Sequence, residues 1–167
     1  MIEKDFAELA LFITGPTWIR PEARAAAALP EFGHRDAENI KRFGPIFAHL
    51  RTMARVGQER DVILFNGSGS TALEAAVRSL VAADETVLNV SVGAFGDLFH
   101  KMAVLNGKKA AQLKFGAGQA IDLARMEQAL VEHKPAVVTL TQNETSTGVL
   151  NDVESACALA RDRKSVV

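Results

Sequence analysis

The chain has 167 residues, 48% hydrophobic and 23% charged, with 12 glycines and 5 prolines, a composition that fits one medium-sized domain and excludes disordered, collagen-like and repeat-dominated proteins. Nineteen basic residues against 20 acidic ones leave a formal net charge of -1, so the electrostatic footprint of a phosphate-backbone binder is missing and nucleic acid is not an expected partner. One cysteine, Cys157, rules out an internal disulfide, and His34, His49, His100 and His133 are too scattered for zinc; a reducing, cytoplasmic setting without a metal is expected.

The opening Met1-Ile2-Glu3-Lys4-Asp5 has mixed charge and no apolar core of a leader, and no run of about 18 apolar residues comes after it, so neither export nor a membrane is expected. Gly15-Pro16-Thr17 reads as a turn, with Pro21 opening a short alanine-rich helix that Pro30 ends. From Asp36 to Arg55 a stripe of Ile40, Phe43, Ile46, Phe47, Leu50 and Met53 predicts an amphipathic helix packed on a core and bent at Gly44-Pro45. Beyond Arg60 short apolar runs alternate with helical patterns. Strands are expected at Val62–Phe65, Thr86–Val92, Lys109–Phe115 (weaker) and Ala136–Thr141. Helices are expected at Ser70–Val81, Ala94–Leu105, Asp122–Glu132 with Asp122 as N-cap, and Asp152–Arg161. This alternation predicts an α/β fold, a mostly parallel sheet with helices on both faces. Residues 1–60 are expected to form an N-terminal segment packing on that domain, and 61–167 its first part. Ser165-Val166-Val167 come after a helix at the onset of another apolar run, which reads as an incomplete domain.

In an open α/β sheet, ligands gather beyond the carboxyl ends of the strands. The loop after Phe65 is Asn66-Gly67-Ser68-Gly69-Ser70-Thr71, where glycines, hydroxyls and a helix N-terminus combine as a phosphate cradle; Thr71 with Glu74 also matches a capping box. The same residues fit a loose Gly-x-Gly-x-x-Ala dinucleotide fingerprint, but the next strand ends Leu88-Asn89-Val90-Ser91 without the acid that would hold a ribose. After Val92 comes Gly93-Ala94-Phe95-Gly96-Asp97, whose Phe95 suits either core packing or stacking on a planar ring. The third loop, Gln142 to Gly148, collects amides, a carboxylate and three hydroxyls in seven residues and reads as ligand-facing.

These loops, in this order, resemble the class V pyridoxal-phosphate-dependent aminotransferases of the serine-pyruvate or alanine-glyoxylate type, which have the fold type I large domain. Gly15-Pro16-Thr17, His34-Arg35, Gly67 to Ala75, Gly93 to Gly96 and Glu144 to Val149 carry the likeness. The resemblance implies that Ser68, Gly69 and Ser70 hold the phosphate of pyridoxal 5'-phosphate, that Phe95 stacks on its pyridine ring and that Thr145 reaches its phenolic oxygen. It places Gly15 near the substrate carboxylate and leaves His34 and Arg35 structural. It further implies a homodimer, with the active site at the subunit interface.

The resemblance also calls for a lysine that forms a Schiff base with the cofactor and an acid at the pyridine nitrogen. Lys4, Lys41, Lys101, Lys108, Lys109, Lys114, Lys134 and Lys164 all lack the matching context, so no catalytic residue is assigned and the chain alone is expected to be inactive. Cys157, inside a predicted helix, reads as a packing residue. The implied activity is transfer of an amino group between alanine or serine and glyoxylate or pyruvate. A non-catalytic pyridoxal-phosphate or phosphate-ester binder and a nucleotide-binding Rossmann-like domain remain as alternatives.

Overall fold

A computed structural model describes residues 13–167, which fall into two compact units divided between Leu64 and Phe65. In the first unit, α1 (Pro21–Ala27) opens on its proline, where a missing N–H is harmless. α2 (Glu38–Ala54) then runs through Pro45 as one helix and stops at Arg55, whose left-handed φ of 53° turns the chain away. The expected packing of the α2 stripe is not found: no residue of α2 is buried, and Ile40 and Met53 are each 79% exposed. Two helices and their connections leave the stripe without a second layer to close on. Nor does Val62–Phe65 form a strand; Ile63, Leu64 and Phe65 stand exposed. A β-favouring run with no hydrogen-bonding partner has nothing to hold it extended.

The second unit is built on a parallel sheet in the order β2-β1-β3, from β1 (Thr86–Ser91), β2 (Lys109–Lys114) and β3 (Val137–Thr139). Val166 adds a parallel bridge to Val137, accepting from the Val138 N–H at 2.7 Å. β1 is central and, past its first residue, fully buried. Its side chains alternate between two faces. Leu88 and Val90 pack with Val138 against Met126, Ala129 and Leu130 of α5 (Leu123–His133) and Ala156 and Ala160 of α6 (Val153–Asp162). Val87, on the other face, packs with Val137 against Val77 of α3 (Gly69–Leu80) and Ala103 of α4 (Ala94–Leu105). Burial on both sides is what makes parallel strands read as continuous apolar runs.

Asp122 caps α5 as expected, accepting from the N–H groups of Ala124 (2.8 Å) and Arg125 (3.1 Å), and Asp152 caps α6 through the Ser155 N–H. The stretch expected as a strand to Thr141 leaves the sheet after Thr139. The chain then forms a hairpin where a bare loop was expected, β4 (Asn143–Glu144) against β5 (Val149–Leu150), turned by Gly148 at φ 71°. Among the described residues no helix is long and apolar enough to cross a membrane.

Candidate functional site

At the carboxyl ends of β1 and β3 lies a cavity of about 370 Å³, lined among others by Leu73, Phe95, Phe99, Leu140, Thr141 and Thr145. A wider depression of about 460 Å³ lies along the outer surface of α5 against Glu127 and Glu132. It is remote from the strand ends where α/β sheets gather ligands, so the smaller cavity is the candidate.

Phe95 and Thr145, separated by fifty positions in the chain, both line this cavity. Phe95 is 41% exposed and so is not a core residue. Ser68 and Gly69 form the start of α3, with Ser70 in its first turn and Leu73, one turn later, on the cavity wall. Ser68 occupies the N-cap position with extended backbone, yet among the described residues no side chain caps this end, and a Cβ on Gly69 would meet none of them within 4 Å. The capping box suggested by Thr71 and Glu74 does not form. Glu74 instead accepts from Asn106 Nδ2 at 3.3 Å and pairs with Arg78 at 3.8 Å, while Thr71 Oγ1 folds over Gly67, 2.7 Å from where a Cβ would sit. The first-turn N–H groups thus keep no side-chain acceptor. Gly15 belongs to the other unit, preceding a cis bond to Pro16, with open space where its side chain would be.

The third loop is only half ligand-facing. Thr145 points to the cavity, but its neighbour Glu144 is completely buried and bonded to the start of α4. Glu144 Oε2 accepts from the N–H groups of Phe95 (3.0 Å) and Gly96 (3.3 Å), and Oε1 accepts from the Ser146 N–H (3.2 Å) and Oγ (2.7 Å). Ser146 Oγ in turn accepts the Ala94 N–H at 2.9 Å. Burial pushes the Glu144 carboxyl up, but the donors from Ser146, Gly96 and Phe95 outweigh it and hold the group below its ordinary value. Close approach requires the glycines here. A Cβ on Gly93 would fall 2.5 Å from Glu144 Cγ, and one on Gly96 2.5 Å from Ser91 Cα.

Towards the carboxyl end of β1, the α4 face of the sheet carries polar side chains. Asn89, fully buried, donates from Nδ2 to Thr139 Oγ1 at 2.7 Å and sets Oδ1 3.2 Å from His100 Nδ1. Asp97 receives Lys114 Nζ at 2.9 Å, Ser91 Oγ at 2.7 Å and Gln112 Nε2 at 2.9 Å; the Lys114 bond foremost lowers its carboxyl, against the opposing pull of burial. Asn151 fixes the hairpin from behind, accepting the Ile121 N–H at 2.9 Å and donating to the Thr141 carbonyl at 2.7 Å. Thr141 Oγ1 is buried at the cavity without a partner among the described residues.

Sequence reasoning singled out none of Glu144, Ser146, Asn151 or Asn89 for these structural roles. A polar residue inside an apolar run, as Asn89 is between Leu88 and Val90, was the one signal available for them.

Comparison with known proteins identifies the family and the fold. The family model described as Aminotransferase class-V matches residues 24–167. A 2-aminoethylphosphonate–pyruvate transaminase of Klebsiella pneumoniae is 36% identical over 94% of this chain and 44% of its own length. A serine–glyoxylate aminotransferase of Hyphomicrobium methylovorum is 32% identical over 86% of the chain and 36% of its own. The crystal structure of an alanine–glyoxylate aminotransferase from Nostoc sp. superposes with a TM-score of 0.82 at 28% identity, covering 90% of this chain and 40% of that one. The chain therefore spans about two fifths of the length of these relatives. Its fold is that of the fold type I transferases.

Proposed function

Because the chain belongs to the class V aminotransferase family, we propose that it supplies the phosphate-binding and ring-stacking walls of a pyridoxal 5'-phosphate site in a transaminase. The amino donor would be alanine or serine and the acceptor glyoxylate or pyruvate, in keeping with the names of these relatives. The meeting of Phe95 and Thr145 at one cavity, with Leu73 of α3 on its wall, supports this reading.

The residues present fit such a group. An uncapped helix start with two serines accepts a phosphate dianion through N–H groups, hydroxyls and the helix dipole. A half-exposed Phe95 offers a flat apolar face to a pyridine ring, Thr145 brings a hydroxyl to the ring's phenolic side, and the unpartnered Thr141 hydroxyl leaves spare hydrogen-bonding capacity at the wall. When bound, pyridoxal phosphate supplies an electron sink for charge developing at the substrate α-carbon. The chain's own part is to anchor the phosphate at Ser68, Gly69 and Ser70, to hold the ring flat on Phe95, and to orient it through Thr145. Gly15, in the amino-terminal unit, keeps the substrate-carboxylate role that the family likeness gives it. No lysine here is assigned the covalent step. The reading also includes a homodimer to which residues 1–60 contribute, with residues 61–167 forming the cofactor-binding part, and a reducing, cytoplasmic setting for the single cysteine.

Titration of the chain with pyridoxal 5'-phosphate, followed by absorbance, tests this. Ser68→Ala and Ser70→Ala should each weaken binding by about 1–2 kcal/mol, the scale of a hydrogen bond to a charged group, and Phe95→Ala should weaken it further. Unchanged affinity in all three would remove the assignment. Borohydride reduction and peptide mapping separate out the covalent question: a stoichiometric adduct on one lysine would give residues 1–167 a covalent role that the reading denies them.

A further inference from the structure

We propose that Glu144 is a positioning residue, whose buried carboxylate locks the start of α4 to the β4–β5 hairpin and thereby fixes Phe95 and Thr145 relative to each other across the cavity. The inference rests on the proposed cofactor site for the ligand, but not for the lock itself.

The bonding pattern carries it. Phe95 and Thr145, the two cavity groups assigned to the ring, are each tied to this carboxylate. Phe95 donates its own N–H to Oε2, and Thr145 is flanked by Glu144 and by Ser146, whose N–H and hydroxyl both reach Oε1. Four donors converge on two oxygens, and Glu144 has no proton to offer in return. A helix needing only a cap would be served by one acceptor from its own N-cap residue, as Asp122 serves α5. At α4 the N-cap is Gly93, which has no side chain, and the acceptor is borrowed from a strand about fifty residues on. Gly93 leaves just enough room for that approach, while Gly96 lets the first turn of α4 lie against Ser91 of β1. The charge sits fully buried at the positive end of the α4 dipole, so it is favoured there and not in the unlocked state.

An amide of the same shape cannot replace it. Glu144→Gln must aim an NH₂ at donors on one side, either at Phe95 and Gly96 or at Ser146, so one half of the lock becomes a mismatch while the volume is unchanged. Amide hydrogen exchange of the unliganded chain reads the lock directly, and pyridoxal 5'-phosphate titration reads its consequence. In Glu144→Gln the amides of the mismatched half, either Phe95 with Gly96 or Ser146, should exchange about tenfold faster, with those of Leu88 and Val90 in β1 unchanged, and affinity should fall by about tenfold with saturation preserved. Ser146→Ala, which removes one donor and the Ala94 bridge, should show the same pattern at smaller amplitude.

Exchange rates at Phe95, Gly96 and Ser146 all equal to the parent's in Glu144→Gln, and at Phe95 and Gly96 in Ser146→Ala, would overturn the proposal. So would acceleration spread equally over Leu88 and Val90, which is the mark of a residue that only stabilises the unit. Should Glu144→Gln fail to fold, Ser146→Ala decides by the same criteria. If the parent chain does not bind pyridoxal phosphate, the functional reading fails, and the exchange pattern still decides whether Glu144 holds the start of α4.

Discussion

α3 and α4 each contribute a side chain to the same cavity, Leu73 and Phe95, and both are opened by glycine-rich loops, yet their N-termini are finished in opposite ways. The first turn of α4 is filled from within the protein: Glu144 and Ser146 take the N–H groups of Ala94, Phe95 and Gly96. The first turn of α3 has no side-chain acceptor and carries Ser68 and Ser70 beside an unobstructed Gly69. One helix start is closed by the protein's own side chains, and the other is the end proposed for a phosphate. A glycine-rich loop before a helix is therefore ambiguous in itself, and the deciding fact is whether another part of the chain supplies the anion.

The difference can be broken most severely at the glycines. Gly96→Ala drives a Cβ into the Ser91 backbone and should destabilise the unit by about 2–3 kcal/mol in urea unfolding, since backbone on both sides must move. Next in size is the contrast in the serines. Ser68→Ala and Ser70→Ala should leave the urea midpoint nearly unmoved while lowering phosphate-ester affinity about 5- to 30-fold each; a stability loss equal to that of Gly96→Ala would mean that α3 also has an internal partner.

Acid should act on the closed end first. The Glu144 carboxyl, like that of Asp97, is held below its ordinary value in the folded chain, so its contribution is complete above about pH 4.3, the unfolded value, and is lost as the pH falls through the folded one. Stability should thus decline on acidification below that point, and Glu144→Gln should flatten the decline when melting is followed against pH. Smallest of all, Gly69→Ala has room for its methyl and should be neutral or stabilising by less than about 1 kcal/mol, through a stiffer unfolded chain. A larger loss would show that the open end is already engaged.

Much of this was legible in the residues. The apolar runs of β1 and the helix of α5 with its Asp122 cap came directly from periodicity and N-cap chemistry, because both are local. The loop of Phe95 left core packing and ring stacking open and Thr145 came only from the family resemblance; their meeting at one cavity follows from the parallel topology. Other features depended on partners that no window of sequence contains. Val62–Phe65 has strand-forming side chains but no strand beside it, and the α2 stripe has helical spacing but no layer to bury it. Glu144 looked like one more polar residue in a polar loop. Its inward turn depends on Gly93 yielding space some fifty residues earlier and on the N–H groups of Phe95 and Gly96, a long-range fit that alternation and composition cannot encode.

β1 also keeps two kinds of material apart. Leu88 and Val90 meet hydrocarbon from α5 and α6 on one side; Asn89 and Ser91 meet His100 and Asp97 of α4 on the other. From Leu88 to Ser91 the even positions consequently answer to the apolar core and the odd ones to polar bonds, while Val87 keeps the start of the α4 face apolar. A combinatorial library that shuffles aliphatic residues among positions 88, 90, 126, 130 and 138 would retune melting temperature without touching a single polar bond at the mouth, whereas a change at 89 or 91 would be felt there at once. Robustness and chemistry could thus be selected independently, with one strand as the partition.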